Sequence, residues 1–478
     1  MTTLNRLPRT TPEQAGIPSS AVEAFVDQLA RDQFEAHGFM IIRNGCVAAE
    51  GWWKPYSPEL PHLIFSITKS FTSTAVGLAV QEGLLSVQDR IAAFFPDKLP
   101  QQPSERLLKM TVHDLLAMAT GHDGDPTEPA ILEGGDWLRA FFEAPVPHEP
   151  GTHFAYNSGA SHVLGLLIER VSGVPLQQFL SVRLLQPLGI TVADWKTLPG
   201  GQHAGGFGLC ITLEDVAKLG LLYEQKGIWN GKRLLDEQWI EASAALQISN
   251  GTEPDSDWAA GYGYQLWRCR HGAYRFAGLF AQKCVIIPSH HAVIAVNSAD
   301  WNEHLLLNAI WNHLLPAMSD QPLPADDASV ERLRDRLSTL DIMVGDKEQL
   351  EDAVPLERSY HFEPNEAGLT SLSLRRSSDG LTAVLHDSDG EREIRYGIGH
   401  WAYAGEGLDC TAARASWLTA DELCLVQHEV WTPFKLTITI RTDGCEAELH
   451  IVRNLSWALG GWPDLNLKIR ATEEQLVE

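Results

Sequence analysis

Ser66 and Lys69 are the residues of this 478-residue sequence whose types and spacing most directly suggest chemistry. Both lie where the apolar stretch Leu63–Phe65 leads into a helix-like run that ends near Gly83. A spacing of three residues places an ammonium within reach of a hydroxyl on one face of a helix. The amides of a helix N-terminus also favour negative charge on the serine or its adduct. The pair therefore suggests an activated serine nucleophile.

Ser66 and Lys69 also have a purely structural interpretation. Ser66 would then cap a helix, and Lys69 would be an exposed lysine one turn further on. The long apolar flanks argue against that interpretation because they should bury Lys69, and lysine is seldom buried without a partner or a task.

Tyr156 is the third candidate. It lies in the stretch Tyr156-Asn157-Ser158, between a Pro-Gly turn and an apolar helix, where a loop tyrosine that only packs on its neighbours is the alternative. A free phenol has a pKa of about 10. If Tyr156 meets Ser66 and Lys69, the ammonium should favour the phenolate, which could then accept the serine proton.

In this order, Ser66-x-x-Lys69 and Tyr156-Asn157-Ser158 resemble the motifs of the serine hydrolase family of class C beta-lactamases, D-Ala-D-Ala carboxypeptidases and related esterases. The resemblance covers about residues 10–315. It implies that Ser66 is the nucleophile, Lys69 its charged partner and Tyr156 the general base and acid. Supporting stretches lie at residues 82–87, 113–116, 121–122, 156–173, 206–215 and 261–267.

The third motif of that family is a strand with Lys-Thr-Gly or His-x-Gly, and Phe276-Ala277-Gly278-Leu279 is the best match here. The resemblance implies an oxyanion hole formed by the N–H groups of Ser66 and Leu279. It also implies a substrate-binding role for Ser158, Phe276, Gly278 and Gln282.

Phe276 stands where the family usually has a cation. The adjacent Arg275 should point to the opposite face of the strand, so a substrate carboxylate would meet an apolar wall. The Phe276-x-Gly, Tyr-x-Ser and Gly-x-x-x-Gln forms are similar to the branch of esterases and 6-aminohexanoate dimer hydrolases. We therefore expect a serine hydrolase that cleaves a small ester or amide through an acyl-enzyme. The alternatives are a beta-lactamase or D-amino-acid peptidase and, from another class, a non-catalytic acylatable sensor or binding protein.

Charge and composition limit the partners. The chain has 37 basic and 62 acidic side chains, a net charge of -25, which disfavours nucleic acid and anionic membranes. No segment approaches the roughly 20 apolar residues of a membrane span. We expect a small-molecule substrate, no cofactor and a possible homo-oligomer.

Seven scattered cysteines without a Cys-x-x-Cys pair favour reduced thiols in a cytoplasm. The histidines lack the spacing of a catalytic metal site.

The elements that must position these residues indicate an α/β (α+β) fold. A hairpin at Asn44-Gly45, a mostly helical centre and returning strands after about residue 262 predict an antiparallel sheet flanked by helices, with a helical subdomain. This is the beta-lactamase-like domain, residues 1–316. Residues 317–355 read as a linker with a short helix. Residues 356–478 alternate like short strands and predict a lipocalin-like antiparallel barrel, plugged by Trp401, Trp417, Trp431, Trp457 and Trp462.

Overall fold

The computed structural model describes residues 6–253, 255–342, 344, 357–365, 367–377, 379–387, 390–443, 446–462 and 464–475. The chain forms two compact units, one of residues 1–52 and 58–339 and one of residues 53–57 and 340–478. By this division residues 317–339 of the expected linker group with the first unit, and the predicted domain bounds stay a prediction. Residues 317–339 group there because the charged helix of the expected linker packs on the first helix of the chain, with Leu333 buried and Arg336 paired to Asp27. Residues 345–355 of that linker lie outside the described residues.

The first unit contains fourteen α-helices in its described part. They are α1 (Ser19–Arg31), α2 (Thr68–Gln81), α3 (Ile91–Phe94), α4 (Glu105–Lys109), α5 (Val112–Leu116), α6 (Glu128–Leu132), α7 (Trp137–Glu143), α8 (Ser158–Ser172), α9 (Leu176–Leu180), α10 (Gln186–Leu188), α11 (Leu213–Glu224), α12 (Glu237–Ala244), α13 (Glu303–Ala309) and α14 (Asp327–Ser338). None of these helices is long and apolar enough to cross a bilayer.

The strands of the first unit are mostly short. They are β1 (Ala36–Arg43), β2 (Cys46–Trp52), β3 (His62–Leu63), β4 (Asp194–Trp195), β5 (Leu209–Ile211), β6 (Ile228–Trp229), β7 (Lys232–Arg233), β8 (Trp267–Arg268), β9 (Tyr274–Gly278), β10 (Gln282–Ile287) and β11 (Ala292–Ser298). Six of them form one antiparallel sheet in the order β2-β1-β11-β10-β9-β8. Strands from both ends of the unit meet at the β1–β11 pair, as predicted.

The predicted hairpin is confirmed. Asn44 and Gly45 both have positive φ, 50° and 79°, which is the backbone form that Asn-Gly favours in a two-residue hairpin turn. The strand predicted for residues 262–268 is shorter, because only Trp267–Arg268 pairs with β9. Gln265 interrupts it with φ of 61°, and its backbone N–H donates to the Leu116 carbonyl at 3.0 Å instead of extending the sheet. Its buried side-chain Nε2 donates to the carbonyls of Leu115 and Leu116.

Some helices pack directly on the sheet, and others pack mainly on neighbouring helices. Helix α11 packs on β10, β11 and β1, where Gly220 permits close contact because a Cβ there would lie 2.4 Å from Cys284 Sγ. Helix α2 is buried almost throughout its length and packs mainly on α8 and α9. This surrounding layer buries α2 on every side, and its polar residues Ser70, Thr72 and Ser73 donate to the backbone carbonyls of Gln265, Gly205 and Tyr264.

The second unit is a closed β-barrel. Its strands are β12 (Arg358–Phe362), β13 (Ser371–Ser377), β14 (Gly380–Asp387), β15 (Gly390–Ile398), β16 (Ala402–Ala404), β17 (Thr411–Thr419), β18 (Glu422–Glu429), β19 (Lys435–Asp443), β20 (Glu446–Arg453) and β21 (Asn466–Gln475). Neighbours are antiparallel, and a short parallel pairing of β15 with β17 closes a ring of nine strands that leaves β16 outside. The predicted barrel is confirmed, whereas its likeness to lipocalins stays a prediction.

The barrel core differs from the expectation. Leu, Ile, Ala and Tyr side chains fill it, and Trp417 is the member of the five predicted tryptophans that belongs to this core among the described residues. Trp457 and Trp462 instead stack on each other, with ring centroids 6.0 Å apart, and Trp462 also stacks on Phe434. Both lie in the connection between β20 and β21, outside the alternating strand positions that face the core.

Candidate active site

Ser66 lies in a single 3₁₀ turn, Phe65–Ile67, directly before α2. Phe65 has φ of 48°, an unusual backbone state for a residue with a bulky side chain. The hydroxyl of Thr68 donates to the Phe65 carbonyl at 2.6 Å and accepts from Leu209 N–H at 3.2 Å, and these two bonds hold the turn. Ser66 itself remains partly exposed, as a nucleophile must.

Lys69 is buried, with 1% of its surface exposed. Its Nζ lies 3.0 Å from Ser66 Oγ, 3.0 Å from Ser158 Oγ and 2.7 Å from the carbonyl oxygen of Gly206. Burial lowers the pKa of the Lys69 ammonium to about 7, and the negative charge of Asp125 opposes this shift. The uncharged amine is therefore closer in free energy to the ammonium near neutral pH than it is for an exposed lysine.

Tyr156 reaches the same place from the loop before α8. Its hydroxyl is hydrogen-bonded to Ser66, and Lys69 Nζ lies 4.9 Å from the centre of its ring. Asn157 caps α8 by accepting from Ala160 N–H, which fixes the backbone next to Tyr156. The structure thus brings Ser66, Lys69 and Tyr156 together.

The pKa of Tyr156 shifts in the direction opposite to the one expected, and its role as base stays a prediction. Burial raises the pKa of the Tyr156 phenol above its ordinary value, and the charge of Asp125 adds to this; the hydrogen bond with Ser66 acts in the opposite direction but does not reverse it. Desolvation disfavours the phenolate more than the nearby amine favours it. This shift favours the neutral phenol of Tyr156 over its phenolate.

Ser158, expected to bind substrate, lies at the first position of α8 and contacts Lys69. Asp125, which the sequence analysis missed, fixes this helix end: its carboxylate accepts from Gly159 N–H at 3.1 Å and from the N–H and hydroxyl of Thr127 at 2.9 and 2.7 Å. The only sequence signal for it is the Asp-x-Thr spacing, which is typical of local turns.

The Gly206 carbonyl was also missed. Gly205 and Gly206 thread between α2 and α8, where a Cβ on Gly205 would lie 2.3 Å from the Ser161 carbonyl oxygen. Thr72 donates to the Gly205 carbonyl at 2.7 Å, and Gly206 N–H donates to His162 Nδ1 at 3.1 Å. The adjacent glycines are a visible signal for close packing, but a backbone carbonyl leaves no signature of its role.

The third motif forms the end of β9. A Cβ on Gly278 would lie 2.3 Å from the Ile64 carbonyl oxygen, so glycine is required for the close approach of this strand to the serine turn. Leu279 follows and is 37% exposed. This places Leu279 next to the turn that carries Ser66, where an oxyanion hole would need it.

Two of the residues expected to bind substrate have side chains that the structure buries, and their role stays a prediction. Phe276 is fully buried and packs edge-on against Tyr223 of α11, because alternate residues of β9 face opposite sides of the sheet. Gln282 is also fully buried, and its amide bonds the carbonyls of Phe280 and Ser298 and the N–H of Ser298. Neither side chain is accessible to a substrate.

An aromatic cluster borders Tyr156. Its ring stacks on Trp267 at 5.7 Å, and Phe154, Tyr262 and Met118 pack around the pair. Arg275 lies beside Trp267, but it is fully buried and paired with Glu303 at 2.8 Å. On this side, away from Ser66 and Lys69, the ring of Tyr156 therefore meets apolar surfaces.

A group with metal-ligand chemistry lies apart from these residues. Donor atoms of Asp123, His148 and His153 lie within 4.8 Å of one another, and His148 Nε2 bonds Asp123 Oδ1 at 2.8 Å. This group does not include Ser66, Lys69 or Tyr156. The expectation of a metal-independent reaction stays a prediction.

The sequence of this chain is similar to those of curated proteins. The chain is 27% identical over 234 residues to 6-aminohexanoate-dimer hydrolase of Paenarthrobacter ureafaciens, an alignment that covers 43% of this chain and 56% of the relative. The chain spans about half the length of the curated relatives it matches.

Solved structures share the fold. The octameric penicillin-binding protein homologue from Pyrococcus abyssi has a TM-score of 0.51 at 18% identity, with 94% of this chain and 99% of that chain covered. A penicillin-binding protein homologue from Caulobacter crescentus has a TM-score of 0.53 at 17% identity, covering 64% of this chain and 99% of that one. The family model described as Beta-lactamase matches residues 21–314, and the chain belongs to this family.

Proposed function

We propose that this protein is a serine hydrolase that cleaves a small ester or amide through an acyl-enzyme on Ser66. One observation carries the proposal: Lys69 Nζ has three oxygen neighbours, Ser66 Oγ, Ser158 Oγ and the Gly206 carbonyl. An uncharged amine has two N–H groups and one lone pair. The carbonyl of Gly206 can only accept, and Ser158 can accept the second N–H, so the lone pair is free to take the proton of Ser66.

Acylation then follows from the geometry. Lys69 takes the proton as Ser66 Oγ bonds to the substrate carbonyl carbon, and the N–H groups of Ser66 and Leu279 stabilise the oxyanion. The neutral phenol of Tyr156 donates its proton to the leaving oxygen or nitrogen as that bond breaks, and the Lys69 ammonium returns a proton to Tyr156. For deacylation, Lys69 accepts a proton from water, the hydroxide attacks the acyl carbon, and Ser66 is released with a proton from Lys69. Lys69 thus takes over the base role that the sequence expectation gave to Tyr156.

The surroundings favour an uncharged, apolar group next to the scissile bond. Trp267, Phe154 and Tyr262 border Tyr156, and the charge of Arg275 is already paired with Glu303. A substrate carboxylate held against these rings would be desolvated without a partner, which costs more than an apolar contact. This supports an ester or linear amide over a beta-lactam or a peptide C-terminus.

A substrate panel tests the proposal on the wild type beside Ser66→Ala. The panel contains p-nitrophenyl esters of increasing chain length, nitrocefin and D-aminoacyl amides. We expect ester turnover by the wild type, loss of about 1,000-fold or more in Ser66→Ala, and only trace nitrocefin hydrolysis. Intact mass after rapid quenching should show one acyl group on the wild type alone.

Other outcomes favour the alternatives. Fast nitrocefin hydrolysis would support a beta-lactamase, and fast cleavage of D-aminoacyl amides would support a D-amino-acid peptidase. Stoichiometric labelling by a fluorophosphonate without turnover of any ester would support an acylatable sensor. Near-normal rates in Ser66→Ala would mean that the assigned nucleophile is wrong.

We also propose a homo-oligomer that works in the cytoplasm. An octameric homologue covers 94% of this chain, and six of the seven cysteines, those in the described residues, are free thiols. Light scattering after size exclusion measures the mass directly, and a 52.8 kDa species across all concentrations would contradict the oligomer.

A further inference from the structure

The turn that connects β9 to β10 has an unusual backbone. Leu279, Phe280 and Ala281 span the gap between the paired residues Gly278 and Gln282. Phe280 and Ala281 have φ of 59° and 58°, a region that side-chain-bearing residues rarely adopt. Such a turn persists only where surrounding contacts hold it.

Buried side chains supply those contacts. Gln282 Nε2 and Ser298 Oγ donate to the Phe280 carbonyl at 3.1 and 2.9 Å. Lys283 Nζ donates to the Gly278 carbonyl at 3.1 Å, and only 1% of Lys283 is exposed. The carbonyls of Gly278 and Phe280, the residues before and after Leu279, are thus held by buried side chains.

We propose that Lys283 is a positioning residue for the oxyanion hole. The inference rests on the proposed function, in which Leu279 N–H binds the oxyanion. The Gly278 carbonyl and the Leu279 N–H belong to one peptide group, which is planar, so in its trans form the two bonds point in opposite directions. By holding the carbonyl, Lys283 also fixes the direction of the N–H.

The bond also makes the N–H a stronger donor. An amide whose carbonyl accepts a charged hydrogen bond is polarised, and its N–H binds an anion more tightly. Lys283 shares Glu303 with Arg275, at 2.5 and 2.8 Å, so two cations face one carboxylate. In the adjacent Arg270–Asp257 ion pair, the positive and negative charges cancel. Burial lowers the pKa of Lys283, and Glu303 opposes this shift by favouring the ammonium. With that ammonium, one net positive charge lies buried behind the turn, where little water screens it from a developing oxyanion.

Lys283→Met tests this inference. The variant removes the donor and leaves Arg275 to pair with Glu303. We expect kcat for a p-nitrophenyl ester to fall about 10-fold to 100-fold while KM changes less than about threefold, because the N–H acts on the transition state. Inhibition by phenylboronic acid, which forms a tetrahedral adduct with Ser66, should weaken by the same factor as kcat/KM.

Lys218→Met is the matched control. Lys218 is also buried, pairs with Asp215 at 2.7 Å and donates to the Gly189 carbonyl at 3.0 Å, but it lies in α11 away from the turn. The Lys218→Met variant should lose thermal stability, as Lys283→Met does, but it should keep the wild-type kcat and boronate affinity. An equal loss of kcat in both variants would overturn the inference, as would a folded Lys283→Met with wild-type kcat.

Lys283→Gln tests the role of Lys283 if the Lys283→Met variant does not fold. Its neutral amide can still donate to Gly278, so kcat should fall by about 3-fold to 10-fold, less than in Lys283→Met, and boronate affinity should fall with it. Wild-type kcat and boronate affinity in this variant would overturn the role of the ammonium. Failure of the proposed function has a different signature, since fluorophosphonate would then label Ser66→Ala as well as the wild type.

Discussion

The rings of Phe65 and Phe280 meet edge to face with centroids 5.2 Å apart. Phe65 precedes Ser66 and Phe280 follows Leu279, so the contact joins the two backbone segments whose N–H groups are proposed to hold the oxyanion. Both phenylalanines have positive φ, 48° and 59°. Two unfavourable backbone states are thus stabilised by one aromatic contact, and Trp301, which is 63% exposed, covers Phe280 from outside at 4.7 Å.

Phe280→Ala should therefore separate the two segments. We expect a loss of about 3 kcal/mol or more in the free energy of unfolding and a fall of about 10-fold to 100-fold in kcat, with a smaller change in KM. Urea unfolding and ester kinetics measure both. Phe25→Ala is the control, because Phe25 forms a similar buried pair with Phe39 at 5.6 Å that does not include the serine turn or the β9–β10 turn. It should lose similar stability and keep its kcat; a folded Phe280→Ala with normal kcat would contradict the argument.

The rate should depend on pH through Lys69. Burial lowers the pKa of Lys69 to about 7, and the reaction requires the uncharged amine. As pH falls through about 7, Lys69 gains a proton and kcat/KM should fall tenfold per unit below that point. A pH series of ester hydrolysis, with fluorophosphonate labelling as a second readout, gives the midpoint. A flat profile from pH 5.5 to 8.5 would show that Lys69 is not the base.

Asp125→Asn should move that midpoint to lower pH. The carboxylate favours the ammonium form of Lys69, so its removal lowers the pKa of Lys69 further. At pH 6 the variant should then retain a larger share of its maximal rate than the wild type. Asp123→Asn is the control because that carboxylate lies two residues away with 77% of its side chain exposed, where water screens its charge. An identical shift in both variants would point to net charge rather than to Asp125.

Ser158→Ala tests the second acceptor of Lys69. Without Ser158 Oγ, one N–H of the buried amine lacks a partner, and its orientation toward Ser66 is lost. We expect kcat to fall about 10-fold, and Ser158→Asn, whose amide oxygen can accept, to recover part of it. Ser161→Ala, one turn along α8, removes a buried bond to Gln265 and should spare kcat. Full activity in Ser158→Ala would remove this residue from the site.

Local features of the fold were predictable from the sequence. The Asn44-Gly45 turn depends on the backbone preferences of two adjacent residues, and the barrel strands follow from alternation along each segment. The reach of Lys69 to Ser66 follows from three-residue spacing, because a helical turn fixes it without help from the rest of the chain. The irregular stretch around Gln265 could not be predicted, since its amide bonds Leu115 and Leu116, about 150 positions earlier.

The sequence by itself thus determined which residue types could react, because the pairing of Ser66 with Lys69 is local. Only the tertiary structure decided how they react. Burial lowers the pKa of Lys69 to about 7 and raises the pKa of Tyr156, which favours Lys69 over Tyr156 as the proposed base. The backbone carbonyl of Gly206 and the buried positions of Phe276 and Gln282 depend on how distant segments pack. Desolvation and packing act between residues far apart in the chain, and no local pattern encodes them.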